Sequence, residues 1–340
     1  MQKPLVSVLL PVYNCENYIL EAVESILQQT YSHFELLIID DCSTDATVEK
    51  IKTLTDQRIQ LIEKPKNSGI TNSLNFGLTI AKGKYIARMD GDDISLPLRF
   101  EKQVAFLEAN ENVIVCATNY QILDTDILVK NPEENEFIKI DLLSDSCIAH
   151  PTVMLRKSIL YTNNIFYQNE FEPAEDYDLW VRLLDYGLLH NLQENLLFYR
   201  NHNNQVSFTK KEIQSQKANL SRVNMLKKLK VEIIVTERIA YEKMFNFKSK
   251  LNFNELKAFF NLKVKVIKAN NQQLYFNKEA FEKFFYEKEK LAVSQYFLGR
   301  KNFSPLILFH YLITKKHISV KLENKQIFLM FTKCLLFYSK

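Results

Sequence analysis

Arg88-Met89-Asp90-Gly91-Asp92-Asp93 places three carboxylates within four residues. Ionised together in a confined site, they would repel one another. A divalent cation that prefers oxygen, Mg²⁺ or Mn²⁺, removes that conflict. Gly91 leaves room for a close ligand or backbone. The competing reading is a solvated acidic turn. The position directly after an apolar run, Tyr85–Met89, favours a site. Asp40-Asp41 follows another apolar run, Phe34–Ile39. A carboxylate there can accept from a nucleobase imide or ribose hydroxyls, or cap the next helix. Glu175-Asp176 opens a helical stretch, where the helix dipole favours an ionised Asp176. Such a carboxylate at a cleft edge can act as a general base, with acidic capping as the plain alternative. Pro11-Val12-Tyr13-Asn14 could wall a nucleotide pocket or form a simple turn. His202 could complete a metal site or contact a diphosphate, or be an ordinary surface histidine. His150-Pro151-Thr152 reads as a turn or as part of an acceptor loop.

These residues need a frame. Val6–Leu10, Phe34–Ile39, Arg58–Ile62, Tyr85–Met89 and Val113–Ala117 are short apolar runs, as strands buried on both faces should be. Helical stripes lie between them, at Glu16–Gln28, from Ser43-Thr44-Asp45 through Leu54, at Ser68–Ala81 with Gly83 as C-cap, and at Pro97–Ala109. Alternating strands and helices predict an α/β doubly wound, mostly parallel sheet flanked by helices. Ligands bind such sheets at the carboxyl ends of the strands, where both Asp pairs fall. From Asn119 the order loosens, with one clear helix at Asp176–Tyr186 carrying Leu179, Trp180, Leu183 and Leu184 as its buried stripe.

The chain has 340 residues, 46% hydrophobic and 25% charged, an ordinary globular mix. Its charge is uneven: residues 1–209 hold 17 Lys and Arg against 30 Asp and Glu, and residues 210–340 hold 27 against 10. We place a boundary near 208–212, giving a catalytic domain at 1–208 and a basic, aromatic-rich helical region at 209–340. Five scattered cysteines form no CxxC or Cys/His cluster, which suits a reducing cytoplasm better than disulfides or zinc. Neither a signal peptide nor a membrane span of ~18–20 apolar residues is legible. GxGxxG, GxSxG, HExxH and a proper P-loop are absent.

The strings VSVLLPVYN, FELLIIDDCSTD, NSGITNSLNFG, AKGKYIARMDGDD, HPTVMLRKS, AEDYDLWVRL and YRNH, in that order over about residues 4–207, resemble glycosyltransferase family 2 with the GT-A fold. The nearest likeness is to bacterial enzymes that build capsule, O-antigen or lipooligosaccharide sugars. Cys42 stands where many relatives have Gly. The QxxRW string of processive synthases is absent, which favours single addition. The resemblance implies inverting, metal-dependent transfer from a nucleotide-sugar, usually UDP-linked, to a glycan or lipid-linked oligosaccharide acceptor. It further implies that Pro11, Val12, Tyr13 and Asp41 hold the uridine, with Asn67 and Gly69 near base and ribose. Asp90 and Gly91 would meet the donor, Asp92, Asp90 and His202 the Mn²⁺ or Mg²⁺ ion. Asp176 would be the catalytic base, with Glu175 supporting acceptor or donor sugar.

The basic region places Lys beside aromatics in KAFFNLKVKVIKANN and EAFEKFFYEKEKLAV. That pattern suits an anionic bilayer surface or, equally, a helical cap that exposes its lysines. The expected location is therefore cytoplasmic, with the inner membrane face as a peripheral site. No nucleic-acid module is legible and none is expected as partner. Two other functions compete: a non-catalytic sugar-nucleotide or glycan binder on the same fold, and a sugar-1-phosphate nucleotidyltransferase. The latter wants a Gly/Arg-rich phosphate loop near the first strand, which PVYNCENY lacks.

Overall fold

A computed structural model describes residues 3–338 except 203–204, 206–208, 247–248, 301 and 321. The boundary expected at Phe208 lies outside the described residues. The chain divides into two compact units, Met1–Ser221 and Arg222–Lys340.

The first unit is built on a nine-stranded sheet: β1 (Val6–Val12), β2 (Phe34–Asp40), β3 (Ile59–Glu63), β4 (Tyr85–Arg88), β5 (Ile94–Ser95), β6 (Val113–Ile122), β7 (Leu128–Val129), β8 (Met154–Arg156) and β9 (Leu188–Tyr199). Its order is β3-β2-β1-β4-β8-β6-β9-β5, with β7 on β6. The β3-β2-β1-β4 half is parallel, as expected. The other half is mixed: β6 and β9 pair in parallel, but β8 inserts antiparallel to both β4 and β6, separating strands that the sequence pattern would make neighbours. β8 is only three residues long, too short for a local periodic signal. Helices α1 (Ile19–Leu27), α2 (Thr47–Lys52), α3 (Ile70–Ile80), α4 (Arg99–Ala109), α5 (Asn135–Asp141), α6 (Lys157–Thr162) and α7 (Glu175–Leu183) accompany it. All seven residues of β1 and of β2 are buried, and Val8, Leu10, Leu36 and Ile38 form the centre of the core with Ile19, Val23 and Phe100.

Parallel register aligns the strand ends that matter. Val12 pairs with Asp40 and Leu9 with Arg88. Leu9 O accepts from Met89 N, so alternation turns Pro11 toward the same side, where the ladder to β4 has already stopped at Leu9. The missing N–H of Pro11 thus leaves no carbonyl unpaired, and the sheet can open there.

Two local expectations shift. Ser43-Thr44-Asp45 does more than start α2, where Asp45 Oδ1 accepts from Thr47 N (3.0 Å). Ser43 Oγ accepts from Asn14 N (3.0 Å), Asn14 Oδ1 from Thr44 N (2.8 Å) and Asp45 Oδ2 from Glu16 N (3.1 Å), so the segment ties the β2 loop to the β1 loop. Gly83 is not the cap of α3, which ends at Ile80 with Ala81 as its C-cap. A Cβ at Gly83 would lie 2.6 Å from Ser7 N and 2.7 Å from Leu5 O, so Gly allows the chain to pass against β1. Gly83→Ala is therefore expected to cost about 1–3 kcal/mol by forcing backbone apart. Urea denaturation reads this directly, and an unchanged midpoint would contradict it.

The second unit is helical: the end of α8 (Lys211–Lys227), then α9 (Val235–Lys243), α10 (Phe253–Gln273), α11 (Lys278–Val293), α12 (Pro305–Thr314) and α13 (Asn324–Leu335). Phe259, Phe260, Phe281 and Phe285 are buried in it, beside a buried Lys263–Glu289 ion pair of 2.7 Å. The Lys-aromatic strings of α10 and α11 therefore spend these four aromatics on the unit's own core, as the helical-cap alternative has it.

Candidate functional site

Pro11, Val12, Tyr13, Asp41, Asn67, Gly69, Asp90, Gly91, Asp92, Glu175, Asp176 and His202 all line one cavity of about 680 Å³. Arg88, His150, Glu172, Tyr199 and Gln205 join them.

The nucleotide-side wall is set by Asp41. Its carboxylate accepts from Lys64 Nζ (2.6 Å), Ser68 N (3.0 Å) and Gly69 N (2.8 Å). Burial alone would raise its pKa, but these donors outweigh burial and hold the carboxyl below its usual value. Asp41 thus spends its lone pairs on fixing the loop that carries Asn67 and Gly69. Gly69 sits at φ 90, with the Glu172 carboxylate 3.0 Å from where a Cβ would be. Glu172 Oε2 also accepts from Thr71 N (3.2 Å) at the start of α3. Cys42 lies at φ 67, in the left-handed region that favours glycine.

The acidic centre is tighter than expected. Ligand oxygens of Asp90, Asp92 and Asp93 lie within 4.8 Å of one another. Asp93 is fully buried, accepts from Arg200 N (2.9 Å) and keeps Oδ2 without a hydrogen-bond partner. Burial, then the Asp90 and Asp92 charges, push Asp93 well above the usual carboxylate range. Three hard oxygen donors with an unspent lone pair suit a Mg²⁺ or Mn²⁺ ion. His202 is at the same centre, its Nε2 2.9 Å from Asp92 Oδ2 and its ring 5.0 Å from Tyr18. The segment Arg200–His202 is wrapped onto the acidic loop: Arg200 Nε donates to Asp92 O (2.8 Å).

On the opposite element, Glu175 and Asp176 begin α7. Desolvation outweighs the helix dipole at Asp176 and lifts its pKa to about 6, a value that still leaves it ionised at neutral pH. Burial raises Asp176 above its usual range, despite a hydrogen bond from Tyr177 N (2.7 Å). Glu175 rises too, through burial and the adjacent Asp176 charge, and its Oε2 has no hydrogen-bond partner. The α7 stripe of Leu179, Trp180, Leu183 and Leu184 is buried as expected and anchors the pair.

Arg88 joins the two halves. It is 3% exposed and ion-paired with Asp90, and its charge lowers the pKa of Asp93, Glu175 and Asp176. His150, bonded to Tyr167 Oη (2.8 Å), is kept neutral by burial and then by Arg88. Buried Arg99 grips the Arg88 carbonyl through Nη2 (2.8 Å). Neither Arg88 nor Glu172 was among the candidate site residues. A lone Arg in the apolar run YIARM, immediately before an acidic triplet, is a signal that could have found the first. Glu172 carries no such local mark.

Residues 7–163 match the family model described as Glycosyl transferase family 2. The chain is 33% identical over 261 residues to an uncharacterized glycosyltransferase of Haemophilus influenzae, covering 72% of this chain and 81% of that one. It is 34% identical over 212 residues, 61% of this chain and 81% of the other, to an Escherichia coli protein described as UDP-Glc:alpha-D-GlcNAc-diphosphoundecaprenol beta-1,3-glucosyltransferase WfaP. In fold it resembles S. aureus TarS 1-349, solved in complex with UDP, with a TM-score of 0.56 and 18% identity over 92% of this chain and 88% of that one.

Arg88→Met would leave its carboxylate neighbours without their buried cation. A loss of about 3–5 kcal/mol is expected, as for breaking a buried ion pair from one side. Denaturant unfolding at neutral pH checks it, and wild-type stability in the variant would refute the role given to Arg88.

Proposed function

The chain belongs to glycosyltransferase family 2, and from that premise we propose that it is a divalent-metal-dependent, inverting hexosyl- or N-acetylhexosaminyltransferase. Its donor is a UDP-sugar, and its acceptor is a hydroxyl of a lipid-linked or surface-polysaccharide glycan such as O-antigen or capsule. The observation that carries this reading is the shared cavity: Asp90 and Asp92 of the acidic group and the Glu175-Asp176 pair line one hollow. The relatives' printed activities support the donor and acceptor class.

Pro11, Val12 and Tyr13 give the nucleoside a wall, and Asp41 holds Asn67 and Gly69 in place beside it. Asp90, Asp92 and Asp93, with His202, are the residues that would hold the ion. A bound divalent ion supplies charge stabilisation to the leaving diphosphate. Asp176 accepts the proton of the attacking acceptor hydroxyl as that oxygen bonds to the anomeric carbon and the bond to the diphosphate breaks. One displacement from the opposite face inverts the anomeric centre. Desolvation makes Asp176 a stronger base than a solvated carboxylate, which favours the proton transfer. Glu175 supports the bound sugar. Arg88 keeps both acidic groups tolerable in one crevice. A lipid-linked acceptor places the enzyme peripherally, at the cytoplasmic face of a membrane; among the described residues no helix is long and apolar enough to cross one.

Asp92→Ala should abolish Mn²⁺-stimulated stabilisation of the protein by UDP-sugars, read by thermal shift. Unchanged Mn²⁺ dependence would remove Asp92 from the ion site. Asp176→Asn should lower turnover about 10²–10⁴-fold while donor binding persists. An active variant would move the base elsewhere, with Glu175 the first suspect. Because only ionised Asp176 accepts a proton and its pKa is raised, turnover in the wild type should climb with pH. The acid limb should lie above the ordinary Asp value of about 3.9. A limb at or below that value would contradict the desolvated base.

A further inference from the structure

In the second unit, α12 is built inside out. It buries Ile307, His310 and Thr314, and turns Leu306, Phe309, Leu312 and Ile313 outward, Phe309 at 57% exposure. A helix facing water does the reverse. The inward polar groups are satisfied: His310 Nδ1 is 2.7 Å from Tyr296 Oη, its ring stacks on Phe253 at 3.6 Å, and Thr314 Oγ1 donates to His310 O. The arrangement is therefore a stable packing with its apolar side left open.

The next helix continues the pattern. α13 packs on α12, buries Met330 and Cys334, and exposes Phe328 (73%), Leu329 and Leu335. The residues after it, Leu336 and Phe337, are exposed as well. They return to the start of α12, where Phe303 N donates to Tyr338 O (2.9 Å). Among the described residues, ten of the 26 exposed large apolar side chains fall within 305–338, so the exposure is concentrated rather than scattered.

Charge selects the occupant. Residues 300–338 contain seven Lys and Arg against a single Glu. Lys315 and Lys316 are exposed at the end of α12 and Lys325 at the start of α13. A second copy of this chain would bring the same excess of cations and be repelled. An anionic lipid surface offers both the apolar depth and the opposite charge. Ten residues of helix rise about 15 Å, half a hydrocarbon core, so α12 can lie in the interface but not span it. We propose that the outward faces of α12 and α13, with the 335–338 tail, form an in-plane docking surface for an anionic bilayer. The surface is independent of the transfer chemistry, and its test reads lipid binding alone.

The test is co-sedimentation of the full chain with vesicles of phosphatidylglycerol and phosphatidylcholine, against phosphatidylcholine alone. The wild type should partition to the anionic vesicles, more strongly at low salt. Replacing three exposed residues together, Phe309→Gln, Leu312→Gln and Phe328→Gln, should lower that partition about tenfold or more. Lys315→Gln, Lys316→Gln and Lys325→Gln together should lower it comparably and flatten the salt dependence. All six positions are exposed or at helix ends, so the circular dichroism spectrum and UDP-sugar hydrolysis without vesicles should be unchanged. Absence of wild-type sedimentation would overturn the proposal, as would wild-type binding by the apolar triple variant. Vesicle-free dimerisation that the apolar substitutions abolish would identify a second copy as the occupant and overturn it too.

Discussion

Carboxylates gathered in a desolvated crevice are costly unless a cation balances them. The first unit gathers Asp41, Asp90, Asp92, Glu172, Glu175 and Asp176 around one cavity, with Asp93 buried beside Asp90 and Asp92. Arg88 supplies a permanent positive charge that is buried with them and paired to Asp90. Arg99 and Val153 fix the strand on which it sits, through bonds to its carbonyl and from its amide. The remaining imbalance is visible in Asp93 and Glu175, each raised by burial and each with an oxygen that has no hydrogen-bond partner. A site left this electron-rich is prepared for a further cation and for a proton transfer.

The sheet makes this convergence geometrically cheap. Parallel pairing brings the ends of β1 and β2 level while β4 stops beside Leu9, and the loops that leave these strands are held by side-chain hydrogen bonds rather than by further sheet. Ser43, Asp45 and Thr47 tie to Asn14, Glu16 and Cys15. Asp41 ties to the Ser68–Gly69 turn. Arg200 ties β9 to the acidic loop. Much of the polar chemistry near the cavity therefore holds walls in place. The groups left unspent stand out against it.

The parallel half of the sheet and the acidic strand ends were legible because each depends on a local pattern: an apolar run that stops at a carboxylate. The α7 stripe was legible for the same reason. What escaped depends on contacts between distant segments. β8 has three residues and owes its place to β4 and β6. Gly83 answers to the backbone of β1, not to α3. Asp176 obeys its burial rather than its helix position. The Lys-aromatic strings of α10 and α11 left a bilayer surface and a helical cap equally open because composition does not reveal which face a helix buries. The outward apolar face lies on α12 and α13.

The most direct test is a crystal structure of the protein with UDP-sugar and Mn²⁺. The account expects a single ion between the donor diphosphate and the Asp90-Asp92-Asp93 group, the uracil ring along Pro11 to Tyr13, and the anomeric carbon facing Asp176 across open space for an acceptor. A donor bound outside this cavity, or one whose sugar points away from Asp176 with the ion held elsewhere, would contradict it.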